Sequence, residues 1–265
     1  TLLLAFSVGN YTTLRDVYQT KCTPLRKFAD GTRIDIPPRA WYNHAMEVNV
    51  NGVTLYYEKA GSGAPLILLH GNGESHDIFD RAVPLLSQRF TVYTPDTRGH
   101  GNSSPVSVYH HRDMAQDLIA FAHALGLEKP ILYGFSDGGI AALLAASLCP
   151  DLPARVIASG ANTSPGGLSA SFLRSAGREW RRTHDPLLAL MINEADITGE
   201  ELANIRIPVC LTVGSRDLVR LRHTRKIAAA IRGCSLCILK HETHGSYVVH
   251  SDKIARLILS LCDRE

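Results

Sequence analysis

Short apolar segments rich in Ile, Val, Leu and Tyr alternate along the chain with longer segments whose apolar positions recur at helical period. This alternation predicts an α/β fold, with a mostly parallel central sheet of about eight strands and helices on both faces. The strand-like segments are Met46–Val50, Val53–Lys59, Pro65–Leu69, Thr91–Thr94, Ile131–Gly134, Arg155–Ser159, Val209–Val213 and Leu236–Leu239. Because Asn51-Gly52 favours a two-residue hairpin turn, we expect the first two strands to form an antiparallel edge.

Helix-like segments separate most of these strands, and two stretches fall outside the alternation. The helices are expected at Asp77–Gln88, Arg112–Leu125, Gly138–Leu148, Leu221–Ile231 and Asp252–Cys262. Residues 1–45 are interpreted as an N-terminal extension without an assigned role, and residues 46–265 as one domain. Residues 162–206, with helix-like pieces at Leu168–His184 and Pro186–Asn193, form an insertion expected to act as a helical cap.

Composition narrows the function classes. The chain is 45% hydrophobic and 20% charged, with a net charge of +3 that is scattered along its length, so nucleic acid is not expected as a ligand. The longest apolar stretch, Gly139–Cys149, is about half of a membrane span, so no spanning helix is predicted. The chain has only six cysteines, which we interpret as reduced thiols, and this favours a cytoplasmic location. Because the sequence begins with Thr rather than Met, a lost leader and export remain an alternative.

The segment Gly134-Phe135-Ser136-Asp137-Gly138 stands between a predicted strand and a predicted helix. A serine on such a sharp turn projects its hydroxyl above the sheet, and small neighbours are needed where the chain crowds itself. We therefore predict that Ser136 is a nucleophile. The alternative is a glycine-rich turn with a purely structural role.

A serine nucleophile requires a base and an acid that orients the base. Asp217 follows the next-to-last predicted strand and His244 follows the last, which is the chain order that accompanies a serine turn of this type. We therefore expect Asp217 and His244 to complete a catalytic triad. Asp217 as a turn residue that caps the next helix is the alternative, and His241 is the rival base.

An oxyanion hole requires two N–H donors near the nucleophile. The backbone N–H of Asp137 follows Ser136, and the backbone N–H of Asn72 lies in the glycine-containing loop after strand Pro65–Leu69. Both are predicted donors. The carboxylate of Asp137 is interpreted as a favourable charge at a helix N-terminus.

From about Met46 to Cys262 the sequence resembles the α/β-hydrolase family. The resemblance rests on His70-Gly71, the segment Asp96-Thr97-Arg98-Gly99-His100-Gly101-Asn102-Ser103, the serine turn, Gly214-x-x-Asp217 and His244. It implies that the Asp96–Ser103 segment is structural. Dehalogenases and epoxide hydrolases of this family carry Asp in place of Ser136, so the resemblance favours chemistry through an acyl-serine.

The preferred interpretation is a carboxylesterase-like hydrolase of small or medium esters, with no cofactor. A proline-releasing aminopeptidase and a C–C bond hydrolase with the same triad are the alternatives, and a ligand receptor with a hydrolase pocket is the alternative outside enzymes. No metal site is expected, because Cys234-x-x-Cys237 has no second pair. Four arginines of the insertion either steer an anionic substrate or form a solvated helix face: Arg174, Arg178, Arg181 and Arg182. His110-His111 is expected to face solvent at a helix start.

Overall fold

The computed structural model describes residues 44–263, whose strands form a single eight-stranded sheet. The strands are β1 (His44–Val50), β2 (Val53–Ala60), β3 (Ala64–Leu69), β4 (Phe90–Pro95), β5 (Ile131–Phe135), β6 (Arg155–Ser159), β7 (Val209–Gly214) and β8 (Ser235–Leu239). Their spatial order is β1-β2-β4-β3-β5-β6-β7-β8. β2 pairs antiparallel with β1 and β4, and every later pair is parallel. The predicted fold class is confirmed.

Helices cover both faces of the sheet. They are α1 (Val83–Leu86), α2 (His111–Ala124), α3 (Asp137–Leu148), α4 (Ala170–Thr183), α5 (Pro186–Asn193), α6 (Gly199–Ala203), α7 (Leu221–Ala230) and α8 (Lys253–Cys262). Side chains alternate along β3, so that Leu66 and Leu68 pack in one apolar cluster and Ile67 and Leu69 in the other. The first cluster includes α1 and α8, and the second includes α2, α3, α6 and α7.

The helix expected over Asp77–Gln88 is wrong as a single element. The chain forms a 3₁₀ turn at His76–Phe79 and then the short α1. Pro84 explains the break, because a proline has no N–H to donate and fits only in the first turn of a helix. The helical pattern of this stretch is therefore divided between two short pieces.

The segment between β6 and β7 carries α4, α5 and α6. Ser169 caps the start of α4, and His184, directly after the last residue of α4, lies in the left-handed region at φ 55°. Asp185 then caps α5, and Pro186 occupies its first turn, so the turn between these helices is defined locally. α6 was not predicted, although Thr198 and Glu201 form the capping box that starts it.

Residues 1–43 of the expected N-terminal extension lie outside the described residues. Within residues 44–263, no helix has both the length and the apolar character that crossing a membrane requires. The cytoplasmic location stays a prediction.

Helix α3 lies at the centre of the fold, and its residues from Asp137 to Ser147 are all buried. Gly138 is required at its start, because a Cβ there would lie 2.5 Å from the backbone oxygen of Leu69. A Cβ at Gly134 would collide with the backbone of Gly138 and Gly139. Close approach of α3 to β3 and β5 thus depends on these two glycines.

We expect Leu143→Ala to lower the free energy of unfolding by about 2–5 kcal/mol, because Leu143 is fully buried and its truncation leaves a cavity. Leu148→Ala is the matched control in the same helix, since Leu148 is 47% exposed, and its cost should stay within about 0.5 kcal/mol. Urea unfolding monitored by circular dichroism measures both. Equal losses would contradict the central position of α3.

Candidate active site

Ser136 lies in the tight turn between β5 and α3. Its backbone has φ 52° and ψ −116°, a conformation that side chains rarely adopt, and its N–H donates to the carbonyl oxygen of Ser159 at 2.8 Å. The flanking glycines permit this crowded crossing. The side chain consequently leaves the sheet at the carboxyl ends of the parallel strands, where loops from several strands meet.

The structure brings Ser136, His244 and Asp217 together in that order. Nε2 of His244 lies 3.0 Å from Oγ of Ser136, and Nδ1 of His244 lies 2.7 Å from Oδ1 of Asp217. Asp217 also accepts the backbone N–H groups of Gly214 and Val219, so it shapes its turn and contacts the imidazole at the same time. Its side chain is fully buried, which favours a fixed orientation of the histidine ring.

His241, the rival base, has a different environment. It is exposed, with φ 67°, and its backbone N–H donates to Oγ of Ser215. The ring of His244, by contrast, packs against Phe135, with ring centroids 4.9 Å apart. The contact with Ser136 is therefore made by His244.

The loop after β3 lies beside Ser136. A Cβ at Gly71 would lie 3.1 Å from Cβ of Ser136, closer than most Cβ contacts, so the glycine favours this close approach of the loop. The side chain of Asn72 donates to Oδ2 of Asp137 at 2.9 Å and to the carbonyl oxygen of Leu187 at 3.2 Å. The two predicted N–H donors thus belong to residues that hydrogen-bond each other through their side chains.

The hydrogen bonds of His70 to the loop after β3 require one particular tautomer of its ring. Its Nε2 lies 3.0 Å from the backbone N–H of Thr97, which can only donate, so Nε2 carries no proton. The proton of the neutral ring is then on Nδ1, which donates to the carbonyl oxygen of Gly71 at 2.8 Å. Burial lowers the pKa of His70 to about 4, and His100 acts in the same direction, so the ring is neutral at pH 7.

The carboxylate of Asp137 does more than face the start of a helix. Oδ1 lies 3.3 Å from Nε2 of His111, whose side chain is buried, so the expectation that His111 faces solvent is wrong. Burial raises the pKa of Asp137, but His111 and the hydrogen bond from Asn72 outweigh burial and lower it below its usual value. Asp137 is therefore ionised at pH 7.

A small cavity adjoins Ser136. Besides Ser136, its polar lining residues are His111, Asp137, Asn162 and Glu194. Its apolar lining residues are Ile140, Leu168, Met191, Ala195 and Leu218. His111 and Glu194 were missed by sequence reasoning. The signal for His111 was the spacing of Met114, Ala115 and Leu118, which places it on the buried face of α2. Glu194 carried no comparable signal.

The four arginines of the insertion are exposed and do not belong to that wall. Arg182 pairs with Glu179 on the same helix. Their positions favour the interpretation as a solvated helix face.

The Asp96–Ser103 segment is hydrogen-bonded to His76 through the side chain of Asp96. Oδ1 of Asp96 accepts both the backbone N–H of His76, at 2.7 Å, and its Nδ1–H, at 2.9 Å. Burial lowers the pKa of His76, but its hydrogen bonds to Asp96 and Glu58 outweigh burial and raise the pKa to about 10. The imidazole is therefore a buried cation at pH 7, held between two carboxylates.

Metal sites in proteins need several ligating side chains close together, and the part of the chain that the structure describes is residues 44–263. This part of the chain holds no group of three His, Cys, Asp or Glu side chains placed to hold a metal ion.

A mostly parallel sheet with a serine in the tight turn between β5 and α3 defines the class of α/β hydrolase folds. A sequence profile described as alpha/beta hydrolase fold matches residues 64–213, more than half of the chain. The chain therefore belongs to the α/β hydrolase family. Membership identifies it as a hydrolase without specifying the bond that it cleaves.

Individual relatives agree with this assignment. The chain is 28% identical to the human serine hydrolase BPHL over 245 residues, which cover 80% of this chain and 84% of that protein. It is 34% identical to 2-(acetamidomethylene)succinate hydrolase of Mesorhizobium japonicum over 112 residues, 42% of this chain and 40% of that one. The crystal structure of the esterase RhEst1 from Rhodococcus superposes with a TM-score of 0.71 at 24% identity, covering 82% of this chain and 98% of that chain, and shows the shared fold.

The raised pKa of His76 makes stability depend on pH. The folded chain holds a proton on His76 up to about pH 10, whereas the unfolded chain releases it near 6.5, so this contribution is complete below pH 6.5 and is lost as the pH rises through 10. We expect His76→Gln to flatten the fall in unfolding free energy between about pH 7 and pH 10. Urea titrations across that range measure the slope.

The exposed His123 supplies the control, since His123→Gln should leave the slope unchanged. An identical slope for His76→Gln and the unaltered chain would show that His76 is not a buried cation.

Proposed function

We propose that this protein is a serine hydrolase that cleaves carboxylic esters through an acyl-serine intermediate. Ser136 is the nucleophile, His244 the general base and acid, and Asp217 the residue that orients the histidine. The observation that carries the proposal is the continuous contact from Oγ of Ser136 to Nε2 of His244, and from Nδ1 of His244 to Oδ1 of Asp217. No cofactor is needed for this chemistry.

The geometry supports a proton path. Asp217 accepts from Nδ1–H of His244, which leaves Nε2 unprotonated and within reach of the Ser136 hydroxyl. His244 takes the hydroxyl proton as Oγ attacks the ester carbonyl, and returns it to the departing alcohol. Water then attacks the acyl-serine with the same assistance, which releases the acid and restores Ser136.

The developing negative charge on the ester oxygen is assigned to the backbone N–H groups of Asn72 and Asp137. As the first residue of α3, Asp137 has an N–H without an acceptor inside its helix. Gly71 brings the Asn72 peptide beside Ser136. Two such donors typically supply several kcal/mol of transition-state stabilisation.

We also propose that residues 46–265 form the hydrolase domain and that residues 162–206 act as its cap. The support is that Leu168, Met191 and Ala195 of this segment line the cavity beside Ser136. Leu187 of α5 accepts from the Asn72 side chain and so connects the segment to the loop after β3.

The proposal predicts that Ser136→Ala lowers kcat/KM for p-nitrophenyl butyrate by at least about 1,000-fold, because acylation then has no nucleophile. The exposed Ser107 gives the matched control, and Ser107→Ala should retain full activity. Release of p-nitrophenolate measures both variants. Full ester hydrolysis by Ser136→Ala would contradict the proposal.

A substrate panel separates the alternatives. Proline arylamides cleaved faster than esters would favour a peptidase, and vinylogous diketones cleaved faster would favour C–C bond hydrolysis. A folded protein that neither turns over any panel member nor reacts with a fluorophosphonate probe would favour a ligand receptor.

Two glycines test the position of His244. Gly160 has φ +61°, and a Cβ there would lie 2.8 Å from Cε1 of His244, whereas Gly126 has φ +60° with nothing within 4 Å of its Cβ. Alanine has an unfavourable positive φ at both positions, but only the Cβ of Gly160→Ala would collide with the imidazole. We expect kcat to fall by about 100-fold in Gly160→Ala and by less than about 2-fold in Gly126→Ala.

Thermal melts of both variants separate strain from displacement. Similar melting temperatures with unequal kcat support the assignment of His244, and equal kcat values would count against it.

A further inference from the structure

Glu74 lies in the loop after β3 and contacts the backbone on which the oxyanion assignment depends. The N–H of Gly71 donates to Oε2 of Glu74 at 2.9 Å. The carbonyl oxygen of Gly71 accepts from Nδ1 of His70 at 2.8 Å and from the backbone N–H of Glu74 at 3.3 Å. Gly71 is therefore held at both its amide and its carbonyl group.

These contacts determine the direction of the Asn72 N–H. The carbonyl group of Gly71 and the N–H of Asn72 belong to one planar trans peptide and point in opposite directions. Rotation of Gly71 would turn the Asn72 N–H away from its present direction. Glu74 resists that rotation at the amide side, and His70 resists it at the carbonyl side.

The carboxylate of Glu74 also lies close to the reacting centre. A Cβ at Gly71 would lie 2.7 Å from Oε2 of Glu74 and 3.1 Å from Cβ of Ser136, so both side chains flank the same backbone atom. A misplaced Glu74 would therefore change the packing of the loop directly beside the proposed nucleophile.

Four titratable groups surround Glu74 from the neighbouring elements: Asp137 on α3, Tyr133 on β5, and His244 and His250 in the chain between β8 and α8. Burial raises the pKa of Glu74 to about 7, and Asp137 acts in the same direction, while the Gly71 N–H, His244 and His250 oppose the rise. The carboxyl group thus changes its charge close to neutral pH, and its ionised form is the stronger acceptor for the Gly71 N–H.

We propose that Glu74 is a positioning residue that holds the Gly71–Asn72 peptide in the orientation needed for oxyanion binding. The proposal rests on the proposed function, because it concerns the donor that Asn72 contributes to attack by Ser136. Glu74 takes no part in bond making, and its effect is transmitted through Gly71.

Two substitutions separate positioning from simple loop stability. Glu74→Gln keeps a side-chain oxygen that can accept from Gly71 N–H but does not ionise, whereas Glu74→Ala removes the acceptor. Glu128→Ala serves as the control, since Glu128 is exposed on the loop after α2. For each variant, kcat and KM for p-nitrophenyl butyrate and the rate of Ser136 labelling by a fluorophosphonate probe are measured from about pH 5.5 to pH 9.

We expect Glu74→Ala to lower kcat and the labelling rate by at least about 10-fold with KM changed by less than about 3-fold, because misdirection of one donor weakens the transition state more than the ground state. Glu74→Gln should restore both rates to within about 3-fold of the unaltered enzyme at its plateau. Its pH profile should have one ionisation fewer than that of the unaltered enzyme, because the carboxyl group of Glu74 is absent.

Three results would overturn the proposal. They are Glu74→Ala behaving as Glu128→Ala, Glu74→Gln losing as much as Glu74→Ala while folded, and Glu74→Gln retaining the pH profile of the unaltered enzyme. If Glu74→Ala does not fold, the profile of Glu74→Gln decides the question.

Ser136→Ala distinguishes the two levels of proposal. Undiminished turnover by Ser136→Ala would remove both the proposed function and the role of Glu74. An inactive Ser136→Ala together with an unaffected Glu74→Ala would remove the role of Glu74 alone.

Discussion

The left-handed turn at Ser136 is the constraint on which the rest of the structure depends. A residue with φ 52° between a strand and a helix costs free energy, and the surrounding structure must hold it there. The buried helix α3 provides part of that support. Gly134 and Gly138 provide the rest, because each lets two backbone segments approach where a side chain would collide. The hydroxyl of Ser136 is presented to the loops only because α3 is anchored this firmly.

Glycines without room for a Cβ also occur at the ends of β6 and β7. A Cβ at Gly160, after β6, would meet the ring of His244, and a Cβ at Gly214, at the end of β7, would meet the backbone of Glu242. The loop after β8, which contains Glu242 and His244, thus packs against the ends of β6 and β7. Asp217 contacts Nδ1 of His244 because Gly160 and Gly214 leave room for that loop. The contact therefore depends on these two glycines as well as on the two polar side chains.

Sequence reasoning predicted the sheet and the strand-to-helix turn at Ser136, because each is signalled locally by period or by glycine spacing. It proposed Asp217 and His244 from their places after strands. It failed where burial is decided by distant segments. His111 reads as a polar residue at a helix start, but Asp137 and Glu194 enclose it from α3 and from the end of α5. Pro84 was a local signal that the helical pattern around it concealed.

Two motifs that are separate in the sequence prove to be one hydrogen-bonded unit. The N–H of Thr97, in the Asp96–Ser103 segment, donates to Nε2 of His70, and this donation places the His70 proton on Nδ1, where it holds the carbonyl oxygen of Gly71. Asp96 anchors the same segment to the buried cation of His76. The segment thus selects the His70 tautomer that orients the loop beside the serine. Its resemblance to the family pattern is therefore explained by how it supports the loop.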